Sequence, residues 1–216
     1  MTVQEIVNFS ILIIVSVIGV VCYSKLTTPF KLLAVTEPAT IILDLSSKIS
    51  SNLYKTNALV LHLECLVLYV FYSAIYYHLF QSKVMKKIVW TSTIIIIVFA
   101  FFNGIFLEPA YKSFPSFLYM LTNTMLVIFS LLLFKQMLLY PVKITITGQG
   151  IFWYNTSMLF FSTTMFLNLG LINYYSQVKG DQGIYYFWYG SYYILNILIG
   201  IALYSNYKEK NSEYAR

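Results

Sequence analysis

Charge is scarce in this sequence, since only 10% of its 216 residues are Asp, Glu, Lys or Arg, against roughly 25% in soluble globular proteins. Cysteine and histidine are scarcer, with two of each. Two histidines are too few for a multi-histidine metal site, and Cys22 and Cys65 both lie in apolar stretches where a disulfide framework is not expected. The chain also lacks the HExxH, GxSxG, GxGxxG and phosphate-loop patterns. These absences argue against an enzyme and predict that no metal and no cofactor is held.

Long apolar runs fill the chain instead, and 59% of its residues are hydrophobic. Seven runs have the length of about 20 residues that a helix needs to cross a hydrocarbon core of about 30 Å. The predicted spans are 6–23, 30–46, 58–79, 88–107, 117–139, 151–172 and 184–204. The sequence therefore predicts one all-α domain over residues 1–216, a polytopic membrane protein built as a bundle of seven transmembrane helices.

The first two spans differ from the other five. The first, 6–23, is interpreted as a retained span, because it lacks the basic start and small-residue cleavage site of a signal peptide. The second, 30–46, contains Glu37, Pro38 and Asp44, which makes it the weakest of the seven. Six spans with a re-entrant second segment therefore remain an alternative.

The basic residues in the loops predict the orientation of the bundle. Ten fall on one side, namely Lys25, Lys31, Lys83, Lys86, Lys87, Lys135, Lys143, Lys208, Lys210 and Arg216. Four fall on the other, namely Lys48, Lys55, Lys112 and Lys179. Because cytoplasmic loops carry the excess of Lys and Arg, the N-terminus is expected outside and the C-terminus in the cytoplasm of a bacterial inner (cytoplasmic) membrane. The same placement accounts for the net charge of +6 without a nucleic-acid partner.

Polar side chains inside the spans are the candidate functional residues, since a charged group at a helix centre costs about 2.5–3.5 kcal/mol on insertion scales. A rise of 1.5 Å per residue places four of them on one level, roughly 21 Å from the cytoplasmic side. These four are Asp44, Glu64, Asn103 and Asn123. Glu37 and Asn196 form a second, deeper level at about 12 Å.

Three interpretations of these levels remain open. The groups tie helices together through interhelical hydrogen bonds, each worth roughly 0.6–2 kcal/mol. Alternatively, they line an outward-opening ligand pocket together with Tyr119, Tyr192 and Tyr193. The third interpretation is a proton or ion path.

The start of the sixth span carries a distinctive motif, Phe152 to Ser162, which reads FWYNTSMLFFS. Trp153 suits a membrane interface, and Asn155, Ser157 and Ser162 offer hydrogen bonds to the bundle, so packing is the favoured role. This motif resembles the sixth span of a family of small, uncharacterised seven-helix inner-membrane proteins of Bacteroidetes-type bacteria. Residues 189–196 are similar to the family's last span, and Glu37 and Glu64 stand where the family tends to carry glutamates. Asn123 departs from the pattern, because the family has an acidic residue there.

The resemblance implies a signalling role, since family members often occur near sensor histidine kinases and response regulators. We therefore expect a non-enzymatic seven-helix sensor or accessory subunit that relays a signal through segments 81–87 and 140–150. Its expected partners are the lipid bilayer and a membrane or cytoplasmic protein such as a sensor kinase. Two alternatives remain: a small transporter or ion conductor that uses Glu37, Asp44 and Glu64, and a structural subunit of an envelope complex.

Overall fold

The computed structural model describes residues 2–141, 145–178 and 182–214, and within them the side chains outside 170–185 and 212–214. This part of the chain forms seven α-helices and no strand, which confirms the all-α prediction. The helices are α1 Val3–Cys22, α2 Thr28–Tyr54, α3 Ala58–Leu79, α4 Lys83–Phe102, α5 Ser116–Leu139, α6 Gly150–Val178 and α7 Gln182–Tyr214. A π-helical turn, Asn103–Leu107, extends α4.

Local chemistry explains where the first two helices begin and end. Thr2 and Glu5 form a reciprocal capping box that satisfies free amide groups at the start of α1. Pro29 lies in the first turn of α2, where its missing N–H is not needed. Lys55 ends α2 in the left-handed conformation, with φ of 59°. Between these points α2 is continuous through Pro38, although that proline removes one hydrogen bond from the helix.

Six of the seven helices form a closed ring, and each helix runs antiparallel to the next in sequence. Helices in contact around the ring are α1–α2, α2–α3, α3–α5, α5–α6, α6–α7 and α7–α1, and α4 packs outside the ring against α3 and α5. We call the end of the bundle where α1 begins the upper face, and the end where α1 finishes the lower face. Lys48 at the end of α2 pairs with Glu5 on the upper face. On the lower face the Thr27 amide donates to Asn206 of α7.

Within the described residues, five helices are long and apolar enough to cross a membrane. They cover Val3–Lys25, Ala58–Leu79, Lys83–Leu107, Ser116–Leu139 and Tyr186–Asn211. Large apolar side chains on the outer surface, such as Trp90 and Val98, are more than 60% exposed. Surfaces of this kind match hydrocarbon rather than water, so the chain is a helical membrane protein.

An aromatic cluster fills the lower half of the bundle core. The Tyr76 ring of α3 packs against Phe80, Phe129 and Tyr154, with centroid distances of 6.1, 5.6 and 5.5 Å. All four side chains are buried. The carboxyl groups of Asp44 and Glu64 lie above this cluster, which places the candidate site between the cluster and the upper face.

Candidate functional site

A cavity of about 210 Å³ opens at the upper face, and α1, α2, α3, α5 and α7 all contribute to its walls. Its polar lining includes the carboxyl groups of Glu5, Asp44 and Glu64 and the ammonium group of Lys48. Glu64 is only 4% exposed, so its carboxyl group is brought into the bundle rather than left at the membrane surface. We call this space the upper cavity.

The carboxyl groups of the upper cavity outnumber its ammonium group. The Lys48 ammonium lies 3.0 Å from a Glu5 carboxylate oxygen and 4.7 Å from the centre of the Phe9 ring. Asp44 and Glu64 have no hydrogen-bond or ion-pair partner among the residues that the structure describes. Two carboxyl groups without a hydrogen-bond or ion-pair partner favour an occupant that is cationic or rich in hydrogen-bond donors.

A second, smaller cavity of about 40 Å³ lies beneath the first. We call it the lower cavity. Glu37, Thr40, Cys65, Tyr72, Asn123 and Asn196 are among its lining residues. Within the described part of the chain, one carboxyl oxygen of Glu37 and the amide nitrogen of Asn196 are buried without a hydrogen-bond partner. The volume suits one or a few water-sized groups and is far below the ~300–1,000 Å³ of usual ligand pockets.

Two tyrosines separate the cavities, because Tyr119 and Tyr192 line both of them. Their rings are held by other aromatic side chains. Tyr119 stacks on Phe114 at 5.2 Å and 9°, and Tyr192 contacts Phe161 at 4.9 Å. Trp188 lies 6.4 Å from Tyr119 and 6.2 Å from Tyr192, so it joins the two rings. We call Tyr119 and Tyr192 the tyrosine partition.

Below the lower cavity, the aromatic cluster is reinforced by hydrogen bonds. The Tyr76 hydroxyl lies 2.6 Å from the Ser130 hydroxyl and donates to Asn155 Oδ1 at 3.1 Å. Asn155 Nδ2 donates to the Ser130 carbonyl at 2.9 Å. Helices α3, α5 and α6 are thereby tied across the core. The two cavities therefore lead from the upper face to a packed layer rather than through the bundle.

The structure brings together most of the residues that the sequence predicted for a pocket, but at two levels. Asp44, Glu64, Tyr119 and Tyr192 meet at the upper cavity. Asn123 was expected on the level of Asp44 and Glu64, whereas it lines the lower cavity with Glu37 and Asn196. Tyr119 stands one turn above Asn123 on the same face of α5, and it separates Asn123 from the upper cavity. Height along a helix alone could not show this separation.

Asn103 lies apart from both cavity linings. Its Nδ2 donates to Glu108 Oε2 at 2.9 Å, and the Glu108 carboxylate also accepts from the Phe117 amide in the first turn of α5. The π-helical turn that starts at Asn103 brings these groups together. Asn103 therefore belongs to the connection between α4 and α5. It was predicted on the level of Asp44 and Glu64, but it does not line the upper cavity with them.

Tyr193 also lies outside the cavity linings. Its hydroxyl donates to the Gln4 carbonyl at 2.8 Å, which joins α7 to α1. Adjacent residues of a helix point about 100° apart, so Tyr192 and Tyr193 cannot both face the same cavity. Trp188, Tyr192 and Asn196, each four residues apart, form the inward face of α7.

About half of the sixth-span motif is buried, whereas Trp153 is half-buried and Phe160 is exposed. Trp153 Nε1 donates to the Thr147 carbonyl at 2.8 Å, next to the start of α6. Asn155 makes the interhelical bonds described above, and Ser157 Oγ donates to the Tyr154 carbonyl of its own helix. Ser162 is fully buried, and its hydroxyl has no partner among the described residues. In the structure, these side chains contact protein rather than either cavity.

Sequence reasoning missed several lining residues, above all Thr40 and Ser47 of α2. A signal for them exists in the sequence. Glu37, Thr40, Asp44 and Ser47 follow one another at spacings of three, four and three, which places them on one helical face. The π-helical contact between Asn103 and Glu108 has no comparable periodic signal.

Among the described residues, no group of three or more His, Cys, Asp or Glu side chains is arranged to hold a metal ion. No known family model, curated protein or solved structure matches the chain.

Proposed function

We propose that this chain is a non-enzymatic seven-helix membrane sensor or accessory subunit. Its upper cavity takes a small cationic or donor-rich ligand, and ligand occupancy is relayed to a membrane or cytoplasmic protein partner. One observation carries the proposal: an acidic cavity, in which Asp44 and Glu64 have no hydrogen-bond or ion-pair partner among the described residues, ends at the tyrosine partition. A cavity that ends inside the bundle suits binding better than passage.

The proposal includes seven spans, with the upper face outside and the lower face in the cytoplasm of a bacterial inner membrane. Helices α2 and α6 have 27 and 29 residues, or roughly 40 Å each, which exceeds the ~30 Å core. The excess of basic residues near the lower face supports the orientation. A cavity that faces outside would be accessible to ligands from the cell exterior.

The tyrosine partition offers a route for the signal. Tyr119 belongs to α5, Tyr192 to α7, and their neighbour Phe161 to α6. A ligand that displaces either ring would change the packing of all three helices, because closely packed cores transmit strain. Helix α5 ends at Leu139 and α6 begins at Gly150 on the lower face, where a partner such as a sensor kinase would dock. The sequence resemblance to seven-helix proteins found near sensor kinases supports this choice of partner.

Purification from the native membrane in mild detergent, followed by quantitative mass spectrometry, tests the proposal. We expect a stoichiometric signalling protein to accompany the tagged chain. Two substitutions should then change the partner's output without loss of folded protein, Glu64→Gln and Tyr192→Phe. Tyr193→Phe is the matched control, because its hydroxyl contacts Gln4 rather than a cavity. Unchanged output in both cavity variants would refute the ligand site, and a stoichiometric envelope protein without a signalling domain would favour a structural subunit.

A small transporter or ion conductor is the second candidate. Glu64 and Asp44 at the upper cavity and Glu37 at the lower cavity place carboxyl groups at two successive depths, as a stepwise path requires. This path would need the Tyr76 cluster to open. Flux into proteoliposomes that Glu37→Gln abolishes would establish transport, whereas a solitary chain without flux would refute it.

A further inference from the structure

A groove of about 570 Å³ separates α3 and α4 on the outer surface, towards the lower face. Its walls are mainly apolar and include Val70 and Ala74 of α3 and Val89 and Trp90 of α4. The groove is distinct from the upper and lower cavities, since it shares no lining residue with either of them. Its volume lies within the ~300–1,000 Å³ of small-molecule sites.

The lower end of the groove is strongly basic. Lys83, Lys86 and Lys87 of the first turns of α4 line it, together with His78 at the end of α3. The Lys86 ammonium lies 5.5 Å from the centre of the Tyr77 ring. Among the described residues, an ion pair joins Lys48 to Glu5 on the opposite face, and no ion pair involves Lys83, Lys86 or Lys87. The three lysines therefore have no carboxylate partner there.

The order of these groups along α4 matches an amphipathic molecule that lies in a bilayer. Trp90 follows Lys83 by seven residues, or about 10 Å along the helix, and its side chain is 62% exposed. Positive charge thus lies at the membrane edge, and an apolar channel runs from it into the hydrocarbon layer. A water-soluble anion would gain nothing from that channel, whereas a lipid would use both parts.

We propose that the α3–α4 groove binds an anionic phospholipid. The phosphate contacts Lys83, Lys86 and Lys87, and an acyl chain lies along Ala74 and Trp90. The charge complementarity selects an anionic headgroup, and the bound lipid braces α4, which otherwise packs only on one side. The proposal is independent of any ligand in the upper cavity.

Native mass spectrometry of the purified chain in detergent, with phosphatidylglycerol or phosphatidylcholine added, tests the site. Lys83→Gln/Lys87→Gln removes two exposed lysines of the groove. Lys135→Gln/Lys208→Gln is the matched control, because these lysines are also exposed and lie near the lower face but do not line the groove. Each lysine near an anionic surface accounts for roughly a fivefold change in affinity. We expect phosphatidylglycerol binding to weaken about 30-fold in the groove variant and less than about twofold in the control.

A second variant tests the apolar part of the groove. Ala74→Trp fills the channel and should abolish retention of phosphatidylglycerol while the chain still elutes as a folded particle. Equal binding of both lipids, or equal loss in both lysine pairs, would overturn the proposal, since it would show unselective or delocalised attraction. A dimer that Ala74→Trp disrupts would assign the groove to a second copy of the chain and would also overturn it.

Discussion

Asn155 joins three helices at the lower side of the core, and its replacement by Ala tests whether the sixth-span motif is structural. The side chain is fully buried. Its Oδ1 accepts from the Tyr76 hydroxyl at 3.1 Å, and its Nδ2 donates to the Ser130 carbonyl at 2.9 Å. Interhelical hydrogen bonds within membranes are worth roughly 0.6–1.7 kcal/mol each. We therefore expect Asn155→Ala to lower the free energy of unfolding by about 1–3 kcal/mol.

A double-mutant cycle isolates the bond from the volume that is also lost. Tyr76→Phe removes the hydroxyl and leaves the ring in the aromatic cluster. Combined with Asn155→Ala, it should give a coupling energy of about 0.6–1.7 kcal/mol. The assay is equilibrium unfolding in mixed micelles titrated with sodium dodecyl sulfate, followed by the fluorescence of the three tryptophans.

Ser157→Ala is the matched control for this cycle. Ser157 is equally buried, but its hydroxyl donates only to the Tyr154 carbonyl of its own helix. We expect it to cost at most about 1 kcal/mol. A coupling energy of zero between Tyr76 and Asn155, with Ser157→Ala as costly as Asn155→Ala, would refute the structural role of the motif.

Two further substitutions, at positions outside both cavity linings, test the packing of the bundle. Gly150→Ala should destabilise the α6–α7 contact by about 1–3 kcal/mol in the same assay, because a methyl group there would lie 2.7 Å from the Ala202 carbonyl oxygen. Gly190→Ala is its control, since that methyl meets no atom within 4 Å and should stabilise the helix by up to about 1 kcal/mol; equal effects would contradict the packing. Glu108→Ala removes the acceptor of the Phe117 amide and should cost about 1.5–3 kcal/mol. An unchanged unfolding midpoint for this variant would show that the α4–α5 connection does not depend on the carboxylate.

The long apolar runs predicted the helices well but not their ends. The second span was predicted over 30–46, whereas α2 covers Thr28–Tyr54, and the seventh was predicted over 184–204, whereas α7 covers Gln182–Tyr214. Apolar runs mark the part of a helix that avoids water. Helices continue into polar sequence for as long as their backbone groups bond within the helix, so composition alone underestimates their length.

The sequence predicted which residues form the candidate site better than it predicted how they are arranged. Charged residues in apolar runs identified Asp44 and Glu64 because burial of a carboxyl group is costly and rarely incidental. Sequence could not reveal that Asn103 bonds to Glu108, since that contact depends on a local π-helical turn. It also could not show that Tyr119 separates the upper cavity from Asn123, because side-chain volume rather than helical position decides that.

In the proposed orientation, the acidic upper cavity faces the outside of the cell. Labelling of single cysteines with a membrane-impermeant maleimide on intact cells tests it, with Cys22 and Cys65 replaced by Ser. Ser51→Cys places an exposed thiol near the upper face, and Ser82→Cys places one near the lower face. We predict that Ser51→Cys is labelled in intact cells and that Ser82→Cys is labelled only after permeabilisation. The reverse pattern would place the cavity in the cytoplasm and contradict a sensor of external ligands.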